Sequence, residues 1–159
     1  MKYPERRLEF YRNGELSEPM AAPMKILLAD DDPHIHLIVT LWLNRNGHEV
    51  ISARNGSEAL KKLKSEIFDG LITDVNMPLM KGVDLVKEVL SGPCSLRMIV
   101  VLTSRCDTTQ LRQELEHPRV YVFNKPFSPA RLTELIDTIN QEEAPTDENK
   151  PTINITQSS

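Results

Sequence analysis

Five short apolar runs punctuate the chain, and each one ends in polar residues. Residues 25–29 (KILLA) lead into Asp30, Asp31 and Asp32, and residues 49–53 (EVISA) into Arg54, Asn55 and Gly56. Residues 70–73 (GLIT) lead into Asp74, 97–102 (RMIVVL) into Thr103, and 119–123 (RVYVF) into Asn124, Lys125 and Pro126. These runs are too short for helices and mostly lack strict alternation, which suits parallel strands covered on both faces. Helical spacing fills the gaps. Ile35, Ile38, Val39 and Trp42 fall at i, i+3, i+4, i+7 before the stop at Asn46-Gly47, with Leu37 and Leu41 off that stripe. Ala59, Leu60 and Leu63 mark a second helix, capped by Asn55 or Ser57, with Glu58 placed to answer Asn55 in a capping box. Leu85, Val86, Val89 and Leu90 mark a third, and Leu111 and Leu115 a more polar fourth. Leu132, Leu135, Ile136 and Ile139 mark a fifth, capped by Ser128, with Pro129 at the first position where a missing N–H costs nothing.

Five βα units predict an α/β fold: a doubly wound, flavodoxin-like sheet of five parallel strands in the order 2-1-3-4-5. One domain over 25–143 is expected, preceded by an extension over 1–24 and followed by a polar, disordered tail over 144–159. Asn154-Ile155-Thr156 in that tail matches a glycosylation acceptor by chance.

Charge narrows the function. The formal net charge is −4, with the extension summing to zero and residues 141–159 carrying −3. No basic stripe exists from which a nucleic acid could displace counterions, so direct DNA or RNA binding is disfavoured. No apolar run approaches the length of a membrane span, and the charged N-terminus is unlike a signal peptide. A cytoplasmic location and reduced Cys94 and Cys106 are the expectation.

Ligands of open α/β sheets bind beyond the carboxyl ends of the strands, where the winding reverses. Asp30 and Asp31 follow the first strand and Asp74 the third, which are neighbours about 4.8 Å apart in this order. Thr103 and Lys125 follow the fourth and fifth. Two like charges about 4 Å apart repel by about 4 kcal/mol at an effective dielectric of 20. Three carboxylates in one cleft must therefore protonate or hold a cation. Oxygen ligands without His or Cys select Mg²⁺, Mn²⁺ or Ca²⁺. A divalent ion and Lys125 would together neutralise the three acids and admit a phosphoryl group. Asp74, lying centrally, is the best nucleophile for an acyl phosphate. One acid would suffice to cap the first helix, and Asp32 is the better cap. Asp69 lies about 17 Å from Asp74 along an extended strand and reads as a loop acid. His34 and His36 share no helical face and read as surface residues; His48 and His117 fall in loops.

The chain resembles the receiver domains of bacterial response regulators in two-component signalling, of the single-domain chemotaxis type. The matching stretches are KILLADDDPHI (25–35), ARNGSEAL (53–60), DGLITDVNMPLMKGVDL (69–85), IVVLTS (99–104) and NKPFSPARL (124–132). The successive intervals of 43 residues from Asp31 to Asp74, 29 from Asp74 to Thr103 and 22 from Thr103 to Lys125 also fit the family. The resemblance implies that Asp74 accepts phosphate and that Asp30, Asp31, Asp74 and the backbone carbonyl of Asn76 ligate Mg²⁺, with Mn²⁺ a substitute. It implies that Thr103 and Lys125 bind the phosphoryl group, that Met77-Pro78 and Gly82 shape the loop over the site, and that the bond before Pro126 is cis. A switch aromatic commonly lies three residues before the lysine; here Val122 stands there, with Tyr121 and Phe123 on either side.

The function so implied is a stand-alone response regulator. It would take phosphate from a histidine kinase or histidine phosphotransfer protein and switch a surface for a downstream protein target. Leu37, Leu41 and Pro126 are the candidate kinase-docking residues. Such a domain is not an enzyme beyond its own phosphorylation and dephosphorylation. Two alternatives stand beside it. One is a pseudo-receiver that signals without phosphate. The other is an aspartyl-phosphate phosphohydrolase, opposed by Asn76 in place of the acid such enzymes carry two residues after the nucleophile.

Overall fold

The computed structural model describes residues 11–12, 15–16, 22–93, 96–105 and 108–142. Its sheet comprises β1 (Lys25–Ala29), β2 (Glu49–Ala53), β3 (Gly70–Asp74), β4 (Met98–Thr103) and β5 (Val120–Asn124). All pairings are parallel, in the order β2-β1-β3-β4-β5. The connecting helices are α1 (Pro33–Arg45), α2 (Gly56–Ser65), α3 (Gly82–Ser91), α4 (Thr109–Glu114) and α5 (Pro129–Glu142). The expected α/β architecture and strand order are therefore present.

Strand alternation divides the core between the two faces of the sheet. Leu27, Ala29, Leu71, Ile99 and Val101 pack with Ala59, Leu85, Val86 and Leu111 of α2, α3 and α4, and with Leu115 just past α4. Ile26, Leu28, Ile72 and Val100 alternate with them, are fully buried, and point to the opposite face. The central strands β3 and β4 are buried along their whole length, which accounts for their unbroken apolar runs.

Local chemistry sets the helix starts. Asp32 caps α1, its carboxylate accepting the His34 N–H at 2.9 Å, and Ser128 Oγ accepts the Arg131 N–H at the start of α5. Asn55 caps α2 by accepting the Glu58 N–H at 2.7 Å. The reciprocal bond differs from expectation by one residue: the Glu58 carboxylate accepts the N–H of Arg54, not of Asn55.

Helix α1 departs further. Its fully buried residues are Val39 and Leu43, while Ile38 and Trp42 are about 40% exposed. The inward stripe is rotated by one position, to His36, Val39 and Leu43. Leu43 completes it and was absent from the expected set, whose Ile38 and Trp42 sit at its edge.

At the amino end, Met24, the last residue of the expected extension, is fully buried, and its N–H donates to Nδ1 of His48. Tyr11–Arg12 pairs antiparallel with Glu15–Leu16, where no strand was expected. The tail over 144–159 with its Asn-Ile-Thr motif, most of residues 1–21, and Cys94 and Cys106 lie outside the described residues. No described helix is long and apolar enough to cross a membrane.

Candidate functional site

Register brings the polar strand ends level with one another. Ala29 of β1 pairs with Thr73 of β3, so Asp30 and Asp74 are the next residues on two adjacent strands. Asp74 pairs with Leu102, and Thr103 with Asn124, which sets Thr103 and Lys125 at the same end of the sheet. The hydrogen-bond ladder continues past the strands: Asp30 N–H donates to Ala53 O, Val75 N–H to Leu102 O and Lys125 N–H to Thr103 O. Each chemical side chain is thus mounted on backbone held by a neighbouring strand.

Carboxylate oxygens of Asp30, Asp31 and Asp74 lie within 4.8 Å of one another. Asp30 is fully buried and Asp74 nearly so, while Asp31 faces solvent. Lys125 Nζ donates to Asp30 Oδ2 at 3.0 Å and lies 3.1 Å from Asp74 Oδ1. The other Asp30 oxygen accepts the Asp32 N–H at 2.9 Å. Burial, and then the neighbouring Asp30 charge, push the Asp74 carboxyl above the usual range, against the pull of Lys125. Burial pulls the Lys125 ammonium down, but its bonds to Asp30 and Asp74 outweigh this and leave it raised.

One lysine cannot neutralise three acids in so small a space. The donors are carboxylate oxygens with no imidazole or thiolate among them, and one faces solvent; that set fits a hard divalent cation that keeps some of its water.

The loop from β3 to α3 closes over Asp74. Gly82 N–H donates to Val75 O at 2.9 Å, and a Cβ at Gly82 would lie 1.9 Å from the Asp74 carbonyl oxygen, so only glycine fits. Met77 is buried beneath the loop, and Asn76 and Pro78 are exposed. Thr103 Oγ1 accepts the Arg105 N–H at 3.1 Å. The Lys125–Pro126 bond is cis.

The remaining residues named from sequence lie elsewhere. Val122 packs against the cluster that holds Leu111 and Leu115, and its carbonyl accepts a bond from the Arg112 guanidinium. Tyr121, the next residue along β5, belongs to the opposite face. Leu37 and Leu41 are 67% and 52% exposed on α1, and Pro126 is exposed in the loop after β5. Asp69 has a role at the other end of the sheet, accepting the Lys25 N–H at 2.7 Å.

Two residues beside the site were not anticipated. Thr73, buried, donates its hydroxyl to the Asp74 carbonyl at 3.0 Å. His36, expected at the surface, contacts the Asp30 carbonyl through Nε2 and Ser52 Oγ through Nδ1. Its place three residues before Val39 and seven before Leu43 was the signal that could have found it.

Fold and site together define a doubly wound sheet carrying an acid–lysine pocket at its switch point. Residues 26–137 match the family model of the response regulator receiver domain. The chain is 34% identical over 119 residues to the chemotaxis protein CheY1 of Helicobacter pylori, covering 73% of this chain and 96% of that one. It is 31% identical over 115 residues to the alkaline phosphatase synthesis transcriptional regulatory protein PhoP of Bacillus subtilis, covering 72% of this chain and 48% of that one. The chemotaxis response regulator CheY4 of Vibrio cholerae superposes with a TM-score of 0.64 at 32% identity, over 74% of this chain and 99% of that one. The chain spans about half of the regulator from Bacillus and 7% of the sensor protein EvgS of Escherichia coli, which it also matches. This chain belongs to the response regulator receiver domain family.

Proposed function

We propose that this receiver domain accepts a phosphoryl group on Asp74 from a phosphohistidine donor, in a Mg²⁺-dependent reaction, and thereby changes a protein-binding surface. The observation that carries the reading is the meeting of three carboxylates from two strands with Lys125, which bridges Asp30 and Asp74.

When bound, Mg²⁺ supplies positive charge that offsets the acids and the phosphoryl oxygens; Asp30, Asp31, Asp74 and the Asn76 carbonyl are the residues assigned to hold it. An Asp74 oxygen attacks phosphorus, the new P–O bond forms and the P–N bond to the donor imidazole breaks. The departing ring keeps the bonding pair and takes a proton from water. Lys125 exchanges its contact with Asp74 for one with a phosphoryl oxygen. Thr103 uses its oxygen as an acceptor from Arg105, so its own proton is available to the same group.

Leu37, Leu41 and Pro126 are assigned to the surface that meets the histidine kinase or phosphotransfer protein. Arrival of phosphate adds charge and acceptor oxygens. The readout runs through the α4–β5 region around Tyr121 and Val122 to a downstream protein, in a cytoplasmic setting.

Incubation with acetyl phosphate and MgCl₂, read by intact mass, tests the assignment. One added phosphoryl group is expected, absent in Asp74→Asn and absent with a chelator. Normal labelling of the Asn variant would overturn the site. A chain that binds Mg²⁺ but is never labelled would instead be a binding module that signals without phosphate.

A further inference from the structure

Asp31 is the least constrained of the three acids. Its carboxylate is exposed and makes no hydrogen bond or ion pair with a described residue, so the backbone, which sets the Cα–Cβ direction, is its one fixed constraint. Asp30, by contrast, is anchored by Ala53 O, the Asp32 N–H and Lys125. The peptide unit that joins them carries the Asp30 carbonyl, and that carbonyl meets Nε2 of His36. A carbonyl oxygen only accepts, so Nε2 carries the proton and donates. In the neutral ring Nδ1 then accepts the Ser52 hydroxyl at 3.1 Å. The imidazole is held from both sides, between the Asp30 carbonyl just after β1 and Ser52 near the carboxyl end of β2. It is half-buried, on the same side of α1 as the buried Val39 and Leu43.

We propose that His36 is a positioning residue for the cation site: by holding the Asp30–Asp31 peptide plane, it aims the Asp31 carboxylate and so sets the affinity for Mg²⁺. The inference rests on the Mg²⁺ part of the function proposed above. Groups that orient a metal ligand without touching the ion typically change affinity by 10–100-fold when removed. The chemistry of phosphoryl transfer lies with Asp74, Thr103 and Lys125, none of which His36 touches.

Calorimetric titration of the full chain with MgCl₂ alone tests it. His36→Ala is expected to weaken Mg²⁺ binding about tenfold. His36→Gln, whose amide N–H can donate to the same carbonyl, should recover to within about threefold of wild type. At saturating MgCl₂, acetyl phosphate should label His36→Ala within about twofold of the wild-type rate, whereas a general disturbance of the pocket would lower the saturated rate as well. Ser52→Ala, at an exposed position, removes only the partner that orients the ring and should weaken Mg²⁺ binding by a smaller factor; it serves as the test should His36→Ala not fold. Unchanged Mg²⁺ affinity in the folded variant, or a Gln variant as weak as Ala, overturns the inference. The two readings fail separately: an unlabelled wild type that binds Mg²⁺ refutes phosphate acceptance, while the variants' Mg²⁺ affinities still judge His36.

Discussion

Lys125 Nζ lies 3.1 Å from Asp74 Oδ1 and at the same time donates to Asp30 at 3.0 Å, so one ammonium serves two buried carboxylates. The arrangement leaves Asp74 with a raised carboxyl, through burial first and Asp30 second. An acid whose pKa is higher folded than unfolded makes the folded state lose stability as pH rises from the unfolded to the folded value. Above both, ionised Asp74 is a standing cost. Asp74→Asn should therefore stabilise the metal-free protein at pH 7 by about 1 kcal/mol, a few degrees in Tm. The gain should shrink as the pH falls through the folded value and vanish well below the unfolded one, at about pH 3 and under, where Asp74 is protonated in both states. Thermal melts in chelator across that range check it.

Removing the cation has the opposite sign. Lys125→Met strands Asp30, fully buried, beside Asp74. Breaking such a pair costs about 3–5 kcal/mol in a dry interior. Lys125 keeps a fifth of its side chain exposed, so a loss of about 2–3 kcal/mol is expected. Urea unfolding at pH 7 measures it. Added MgCl₂ should restore part of the loss, because an ion bound only to the folded state stabilises it by mass action.

Gly82 and Gly92 bracket α3 but should respond differently to a methyl group. A Cβ at Gly82 meets the Asp74 carbonyl at 1.9 Å, and backbone cannot retreat as a flexible side chain can. At Gly92 the nearest atom is 4.0 Å away. Gly82→Ala is expected to cost about 2–3 kcal/mol and to slow labelling by acetyl phosphate, because the loop and Asp74 move together. Gly92→Ala should stay within about 0.5 kcal/mol of wild type.

The start of α2 offers a pH test on a carboxyl that is not one of the clustered acids. The Arg54 N–H, and then Lys62, hold the Glu58 carboxyl below its ordinary value. A lowered acid contributes stability above its unfolded pKa and loses it as pH falls through the folded one. Glu58 is more than a third exposed, so screening reduces the effect to a few tenths of a kcal/mol. Glu58→Gln should show that small deficit at pH 7 and none once the pH lies well below the ordinary carboxylate range. Asn55→Ala, which deletes the cap itself, should cost about 1 kcal/mol at either pH.

Leu37 and Leu41 share one face of α1 and contribute little to the core. The Leu37→Ser/Leu41→Ser double variant should fold within about 0.5 kcal/mol of wild type and take phosphate from acetyl phosphate at the normal rate. Phosphotransfer from a cognate histidine kinase should fall at least about fivefold if these residues form its docking surface. Equal rates from both donors would remove them from that surface.

The fold was legible because its signals are local and redundant. Each of the five apolar runs is a strand, and the winding rule orders them once the helices between them are recognised. Asp32 and Ser128 act as caps because a short polar side chain before an apolar stripe has one obvious set of orphan N–H groups to serve. Helix α1 was misread by one position because Ile35, Ile38 and Trp42 made an apolar stripe as plausible as the true one. With Leu37, Leu41 and Leu43 nearby, the helix is apolar over much of its circumference, and periodicity alone cannot orient it. His36 was missed for the same reason, since the rotation that buries Leu43 also brings the imidazole inward.

By itself the chain determined the number of βα units, their order, and which polar residues stand at the carboxyl ends of the strands, because periodicity and capping act between residues close in sequence. Only tertiary structure decided that Lys125 bridges Asp30 and Asp74, that Glu58 answers Arg54, and that a histidine holds the peptide between two acids. The first joins strand ends 95 residues apart, which only strand register brings level; the other two lie within six residues of each other, yet which N–H Glu58 meets and which way His36 faces are settled by the turn before α2 and the rotation of α1, at distances of about 3 Å that periodicity does not encode.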